Sequence, residues 1–171
     1  MKIFSSIRSG TVGDVRALQA LQLRAGSLFR DAGMPEVADN PPSSDALFRE
    51  SITADLLHVA ARREVRIGFT LALATEPDCH LEQMSVDPAF GRQGIGAALV
   101  RHLVHLSRLR GFDRVTLSTF TNVSWNGPFY ERLGFIYLPN AQLTPFLAEV
   151  RSQEAAAGLD MSLRAVMAHA L

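Results

Sequence analysis

The sequence predicts an α/β (α+β) fold in which a mixed central sheet of about seven strands is flanked by helices. Three observations carry this reading. The stretch Leu81 to Arg110 runs strand, glycine turn, helix. Before it, β-like segments between Leu56 and Val86 are separated only by polar turns, the pattern of antiparallel strands. After it, helical and strand-like segments alternate through to a closing strand, as they do where crossovers join strands.

Taken in order, Ile3 to Arg8 reads as a first strand, and Thr11-Val-Gly-Asp14 has the form of a capping box with Asp in the role of Glu. Val15, Leu18, Leu21 and Leu28 then recur at helical spacing, predicting a helix to about Phe29 that Gly33 and Pro35 break. Asp39 to Ser44 is a loop whose last serines can cap a short helix carrying Leu47 and Phe48. Leu56 to Ala61 and Val65 to Ala74 form a hairpin around Arg62-Arg63-Glu64, and a turn at Glu76-Pro77-Asp78 leads into the strand Cys79 to Val86. Period-two alternation places His80, Glu82, Met84 and Val86 on one face of that strand and Leu81, Gln83 and Ser85 on the other.

Pro88 stops the strand, and Ile95, Leu99, Leu103 and Leu106 mark the following helix, which Gly111 terminates. Val115 to Thr119 is the next strand, parallel to its predecessor through a right-handed crossover. Pro128 suits the first turn of a short helix, Phe135 to Leu138 is a short strand, Pro145 to Ala157 a helix ended by Gly158, and Ser162 to His169 the closing strand.

With 171 residues, 47% of them apolar, the chain can bury one substantial core, so a single domain over 1–171 is the simplest organisation. Seventeen basic and 17 acidic side chains cancel, leaving no long-range field to gather nucleic acid or an anionic membrane. The one cysteine, Cys79, excludes an internal disulfide, no apolar run is long enough for a membrane helix, and the first ten residues lack the apolar run of a secretory signal. A cytoplasmic protein is expected, with homodimer formation left open. His58, His102, His105 and His169 show no ligand-like spacing, so no metal is expected.

Glycines at a helix start let the backbone approach a ligand while the first unpaired N–H groups point outward, a setting suited to phosphate. Two known phosphate turns fit poorly: a dinucleotide fingerprint would need glycine at Leu99, and a triphosphate loop would need Lys and Ser or Thr at Ala97 and Ala98. What remains is V-x-P-x-x-[QR]-x-x-G-x-[GA], matched at Val86, Pro88, Gly94 and Gly96 and departing at Gly91, where Gln or Arg is usual and Arg92 stands one place later. This resembles the acetyl-CoA-binding signature of the GCN5-related N-acetyltransferases. A second segment, Phe129-Tyr130-Glu131-Arg132-Leu133-Gly134-Phe135, is similar to that family's Y-x-[KR]-x-G-F motif.

The resemblance covers nearly the whole chain and implies the acyl-CoA N-acyltransferase fold, acetyl-CoA as cosubstrate and transfer to an amine acceptor. It implies that Met84, Ser85 and Val86 hold the pantetheine arm and that the backbone of Gly91, Arg92, Gln93, Gly94, Ile95, Gly96 and Ala97 takes the pyrophosphate. It also implies that Tyr130 acts as general acid at the CoA sulfur and that the early helices wall the acceptor pocket. Only the helix before the last strand stands out as an elaboration. Glu82 and His80, sharing a face with Met84, are the candidate bases, and the choice between them stays open. Where the family places Asn and Ala this chain has Val123 and Asn126, so Asn126 is the candidate for the pantetheine or for the helix cap. A catalytically idle acyl-CoA-binding module with the same fold is the competing reading, and a nucleotide-binding enzyme stands third.

Overall fold

A computed structural model describes residues 6–171. Its strands are β1 (Ser6–Ser9), β2 (Leu57–Arg62), β3 (Val65–Thr75), β4 (Asp78–Val86), β5 (Arg114–Phe120), β6 (Ile136–Tyr137) and β7 (Arg164–Ala170). Its helices are α1 (Val15–Gly26), α2 (Leu28–Asp31), α3 (Pro35–Ala38), α4 (Asp45–Thr53), α5 (Ile95–Leu109), α6 (Gly127–Glu131) and α7 (Pro145–Ala156). The seven strands form one sheet in the order β1-β2-β3-β4-β5-β7-β6. It is mixed as expected, because β4 and β5 run parallel while β1, β2 and β3, and β5, β7 and β6, pair antiparallel. Of the predicted first strand, Ile3 to Ser5 lie outside the described residues.

The chain divides into two compact units, one containing residues up to 74 with 81–106, the other 75–80 with 107–171. In the first, the helical period of Val15, Leu18 and Leu21 and the short α4 supply one apolar layer. These side chains and Phe48 are buried against Leu57, Val59, Phe69 and Leu71 of the hairpin, with the rings of Phe48 and Phe69 5.6 Å apart. Ile95 and Leu99 of α5 are buried with Ala60 and Ile67 in a second cluster, against which Val86 and Phe90 pack.

The predicted first helix is interrupted. The Ser27 hydroxyl donates to the Arg24 carbonyl at 2.7 Å, competing with the helical ladder, and the chain resumes as the one-turn α2 with Leu28 exposed. Pro35, expected as a breaker, instead opens α3 at the first-turn position where its missing N–H costs nothing. The capping box is present: the Asp14 carboxylate accepts from the Thr11 backbone N–H at 2.9 Å and from its hydroxyl at 3.0 Å. That carboxylate also accepts two bonds from Arg8 at 2.8 Å and one from Arg66 at 2.8 Å, tying β1, β3 and the start of α1 together.

Asp14 is buried, and the Arg8 guanidinium holds its pKa well below the usual carboxylate range. A depressed pKa contributes stability that is complete above the unfolded value near ~4 and is lost as pH falls through the native one. Asp14→Ala, which strands two guanidiniums, is therefore expected to cost about 2 to 3 kcal/mol at pH 7 and less under acid. Thermal unfolding of both proteins between pH 3 and pH 7 checks this; equal melting temperatures throughout would show the cluster to be idle.

In the second unit β7 pairs along its whole length with β5, from Arg114↔Ala170 to Phe120↔Arg164. The predicted closing strand begins two residues late because the Asp160 carboxylate captures the Ser162 backbone N–H at 3.0 Å and its hydroxyl at 2.6 Å, making a turn of what reads as strand. Helix α7 starts on Thr144, whose hydroxyl accepts from the Leu147 N–H at 3.3 Å. Gly111 and Gly158, predicted helix stops, both adopt the left-handed conformation of a C-terminal cap.

Candidate active site

The turn after β4 is built by side chains that hold an open backbone in place. The Asp87 N–H donates to the Ile67 carbonyl at 2.9 Å, and the Asp87 carboxylate accepts from the Ala89 N–H at 3.0 Å and from Arg24 of α1 at 2.7 and 2.9 Å. Pro88 to Phe90 form a single 3-10 turn closed by the Gly91 N–H on the Pro88 carbonyl at 3.1 Å. Arg92 and Gly94 then take positive φ, at 60° and 76°, and reverse the chain into α5. A side chain at Gly94 would meet nothing within 4 Å, so glycine is required there by the backbone and not by crowding.

Ile95 anchors the helix start, being 1% exposed, and the first i→i−4 bond runs from the Ala98 N–H to the Gly94 carbonyl at 3.0 Å. The N–H groups of Ile95, Gly96 and Ala97 thus precede the helical ladder and lie at the positive end of a 15-residue helix. This is an anion-receiving geometry.

In the second unit, the parallel register of β4 and β5 comprises only Cys79↔Val115 and His80↔Thr116. It is clamped at its start by Asp78, which accepts from Arg114 at 2.6 and 3.0 Å, and by the Asp113 N–H on the Pro77 carbonyl at 2.9 Å. Beyond Thr116, β5 continues in register with β7. The strand β4 itself does not keep strict alternation. Cys79 is buried beside Ser107 of α5, yet Val86, of opposite parity, packs in the cluster of Ile95 and Leu99 on the same helix. The predicted common face of His80 and Val86 is therefore broken along the strand.

A model of the acetyltransferase (GNAT) family matches residues 23–135, the span holding the turn, both strands and the Tyr130 helix. The chain belongs to the GNAT acetyltransferase family. A glucosamine 6-phosphate N-acetyltransferase of Trypanosoma brucei brucei is 39% identical over 56 residues, covering 33% of this chain and 36% of that relative. The chain thus spans about a third of this curated relative. Among solved structures, the PaiA N-acetyltransferase of Thermoplasma acidophilum, in complex with coenzyme A, shares the fold with TM-score 0.69 at 14% identity, covering 97% of this chain and 98% of that one. The ribosomal-protein-S18-alanine N-acetyltransferase of Escherichia coli does so with TM-score 0.68 at 20% identity, covering 96% and 92%.

Of the residues singled out for GNAT chemistry, Met84 to Val86 and Gly91 to Ala97 fall together at the end of β4, the turn and the head of α5. Gln83, not anticipated, donates from its side-chain amide to the Met84 carbonyl at 3.3 Å and to the Ser85 hydroxyl at 2.9 Å, stiffening this stretch. Glu82 is exposed on β4.

His80 is not: it is 2% exposed, its Nδ1 lies 2.9 Å from the Thr116 hydroxyl, and Phe146 of α7 sits edge-on at 5.0 Å. Burial pushes its pKa down to about 4, against the opposing pull of Glu154 and Asp78, so the ring is neutral at pH 7.

Tyr130 is buried between Phe129 and Phe135, with ring centroids 5.1 and 5.6 Å away. Burial drives its pKa well above the ordinary phenol value, with the Arg164 charge acting in opposition. Asn126 serves the helix: its carbonyl accepts from the N–H groups of Phe129 and Tyr130, and its side chain accepts from the Thr119 hydroxyl at 3.0 Å. Trp125 is 41% exposed and Val123 is buried, so the valine and not the tryptophan packs beneath this segment. No group of three or more His, Cys, Asp or Glu able to hold a metal occurs among the described residues, nor any helix long and apolar enough to cross a membrane.

Proposed function

We propose that residues 1–171 act as one acetyl-CoA-dependent N-acetyltransferase domain, transferring an acetyl group to a primary amine of a small molecule or peptide by direct attack in a ternary complex. The observation that carries this reading is the turn itself: Gly94 at φ 76° delivering the backbone N–H groups of Ile95 to Ala97, at the end of the strand bearing Met84 to Val86. The pyrophosphate lies on those N–H groups, and the pantetheine runs along Met84 to Val86.

The amine nitrogen attacks the thioester carbonyl carbon, the carbon–sulfur bond breaks, and the thiolate leaves with a proton from Tyr130. The proton released by the amine passes to Glu82, directly or through water. Between the two candidate bases, exposure favours Glu82, because His80 is sealed under Phe146 and out of reach of an incoming amine.

Glu82→Gln is accordingly expected to lower kcat/KM at pH 7 by about 10-fold or more, with His80→Ala as the comparison. Unchanged activity in Glu82→Gln together with an acid limb near pH 4 that disappears in His80→Ala would exchange the roles. The reaction itself is tested by thiol release from acetyl-CoA across a library of primary amines and peptide N-termini. Tight CoA binding with no acceptor acetylated would favour the idle acyl-CoA-binding module instead.

A further inference from the structure

The turn assigned to an anion is itself opened by one. Every polar group of Asp87 is committed to holding it: the N–H donates to the Ile67 carbonyl at 2.9 Å, the carbonyl accepts from the Phe90 N–H at 2.8 Å, and Oδ1 accepts from the Ala89 N–H at 3.0 Å. Oδ2 is taken by Arg24, which donates from Nε at 2.9 Å and from Nη2 at 2.7 Å. The aspartate side chain is 13% exposed and the arginine 53%. Coulomb repulsion disfavours a carboxylate at the start of a pyrophosphate site, so geometry must account for its presence.

Arg24 stands on a fixed base. It lies in the last turn of α1, three residues beyond Leu21, which is buried with Leu18 in the cluster formed by the hairpin of β2 and β3. The Ser27 hydroxyl donates to the Arg24 carbonyl at 2.7 Å, and a cation in the last helical turn is favoured by the helix dipole. Elsewhere on α1, the Gln22 side chain accepts from the Ser43 N–H at 3.1 Å, while Gln19 donates to the Ser43 carbonyl at 3.1 Å and to Asp45 at 2.9 Å. Helix α1 is therefore secured both to the sheet and to the head of α4, and Arg24 extends that rigidity to a residue 63 positions away.

We propose that Arg24 is a positioning residue for the cofactor turn: its two bonds to Asp87 tie the start of the turn to α1 and so fix the direction in which Ile95, Gly96 and Ala97 present their N–H groups. This rests on the reading of those N–H groups as the pyrophosphate site. The intervening segment has little of its own to hold it, being one 3-10 turn over Pro88–Phe90 followed by Arg92 and Gly94 at positive φ. Ile95 is buried at one end and Asp87 is tied at the other, so the turn is held from both sides. Without Arg24 the carboxylate can leave Ala89, and the 3-10 turn loses its cap. An exposed ion pair adds little to global stability, so the loss falls on the aim of the turn and not on folding.

Charge and position make opposite predictions at Asp87. Asp87→Asn removes an anion from the pyrophosphate site while leaving an oxygen able to accept from Ala89, so charge alone predicts tighter CoA binding. The tie to Arg24 predicts weaker binding. In calorimetric titration with CoA, Arg24→Met and Asp87→Asn are each expected to weaken binding by about 10-fold, and the double variant by no more than either alone, because both cut the same contact. Arg24→Lys should recover part of the loss. Arg30→Met, which removes an equal charge from the exposed pair of Arg30 and Asp39, should leave CoA affinity unchanged. Melting temperatures should shift by no more than about 2 to 4 °C in any of these variants.

Tighter or unchanged binding in Asp87→Asn, additive losses in the double variant, or an equal loss in Arg30→Met would each overturn the proposal. A wild-type protein that takes up no CoA would overturn the reading of the turn and the positioning role with it, which separates the two failures.

Discussion

Gly94→Val is expected to abolish CoA binding at micromolar concentration while leaving the protein folded. Gly94 sits at φ 76°, a region that a β-branched side chain enters only with strain of at least about 1 to 2 kcal/mol. The strain falls on an exposed turn with no contact within 4 Å to resist it, so the chain re-threads there and does not unfold. What re-threading destroys is the aim of the N–H groups of Ile95, Gly96 and Ala97. Hydrogen bonds to a charged partner contribute about 1.5 to 3 kcal/mol each, and losing two of them weakens binding by about 10²-fold or more.

Gly111 supplies a matched control at the other end of the same helix, with φ 78° and equally open space. Gly111→Val should cost comparable stability yet leave CoA affinity untouched. Calorimetric titration of CoA into both variants, beside their melting temperatures, makes the comparison; equal affinities would detach the turn from the pyrophosphate.

How far such residues could be read from the sequence follows from the range of the interactions involved. Gly94 was legible because a strand, a proline, clustered glycines and an amphipathic helix in series are local features, each recorded within a few positions. The hairpin of β2 and β3 and the parallel pairing of β4 with β5 were legible for the same reason, whereas the place of β7 between β5 and β6 was not. The failure of alternation along β4 did leave a mark that a strict period-two reading passes over: the apolar residues change parity at Glu82-Gln83, from Cys79 and Leu81 to Met84 and Val86.

Ser27 was invisible in another way. Its hydroxyl ends α1 through a bond three residues back, and serine at a helical position is ordinarily tolerated. The pair of Glu154 and Arg164 lay furthest from view. Ten residues separate its members, a turn intervenes, and neither belongs to a motif; the helix carrying Glu154 read as an elaboration, and its contacts with Arg164 and, through Phe146, with His80 exist only in the folded chain.

Tyr130→Phe is expected to lower turnover by about 10²-fold while changing acetyl-CoA binding little. The substitution removes one hydroxyl from a ring that Phe129 and Phe135 continue to hold at 5.1 and 5.6 Å, so the packing of α6 survives. Burial keeps the phenol protonated across the physiological range, which is the state a proton donor must be in, and also makes that proton harder to give up. The balance shifts only when a basic thiolate forms beside it, so the contribution is confined to the breakdown step and appears in kcat.

This confinement gives a stricter test than the rate alone. An acetyl thioester of a more acidic thiol needs little protonation on departure, so the penalty of Tyr130→Phe should shrink towards unity with that donor and stay near its full value with acetyl-CoA. A residue that only packs would produce the same small loss with both donors, and a residue that orients the thioester would produce the same large one. A penalty independent of the leaving group, measured by steady-state turnover with the two donors, would take Tyr130 out of the proton transfer.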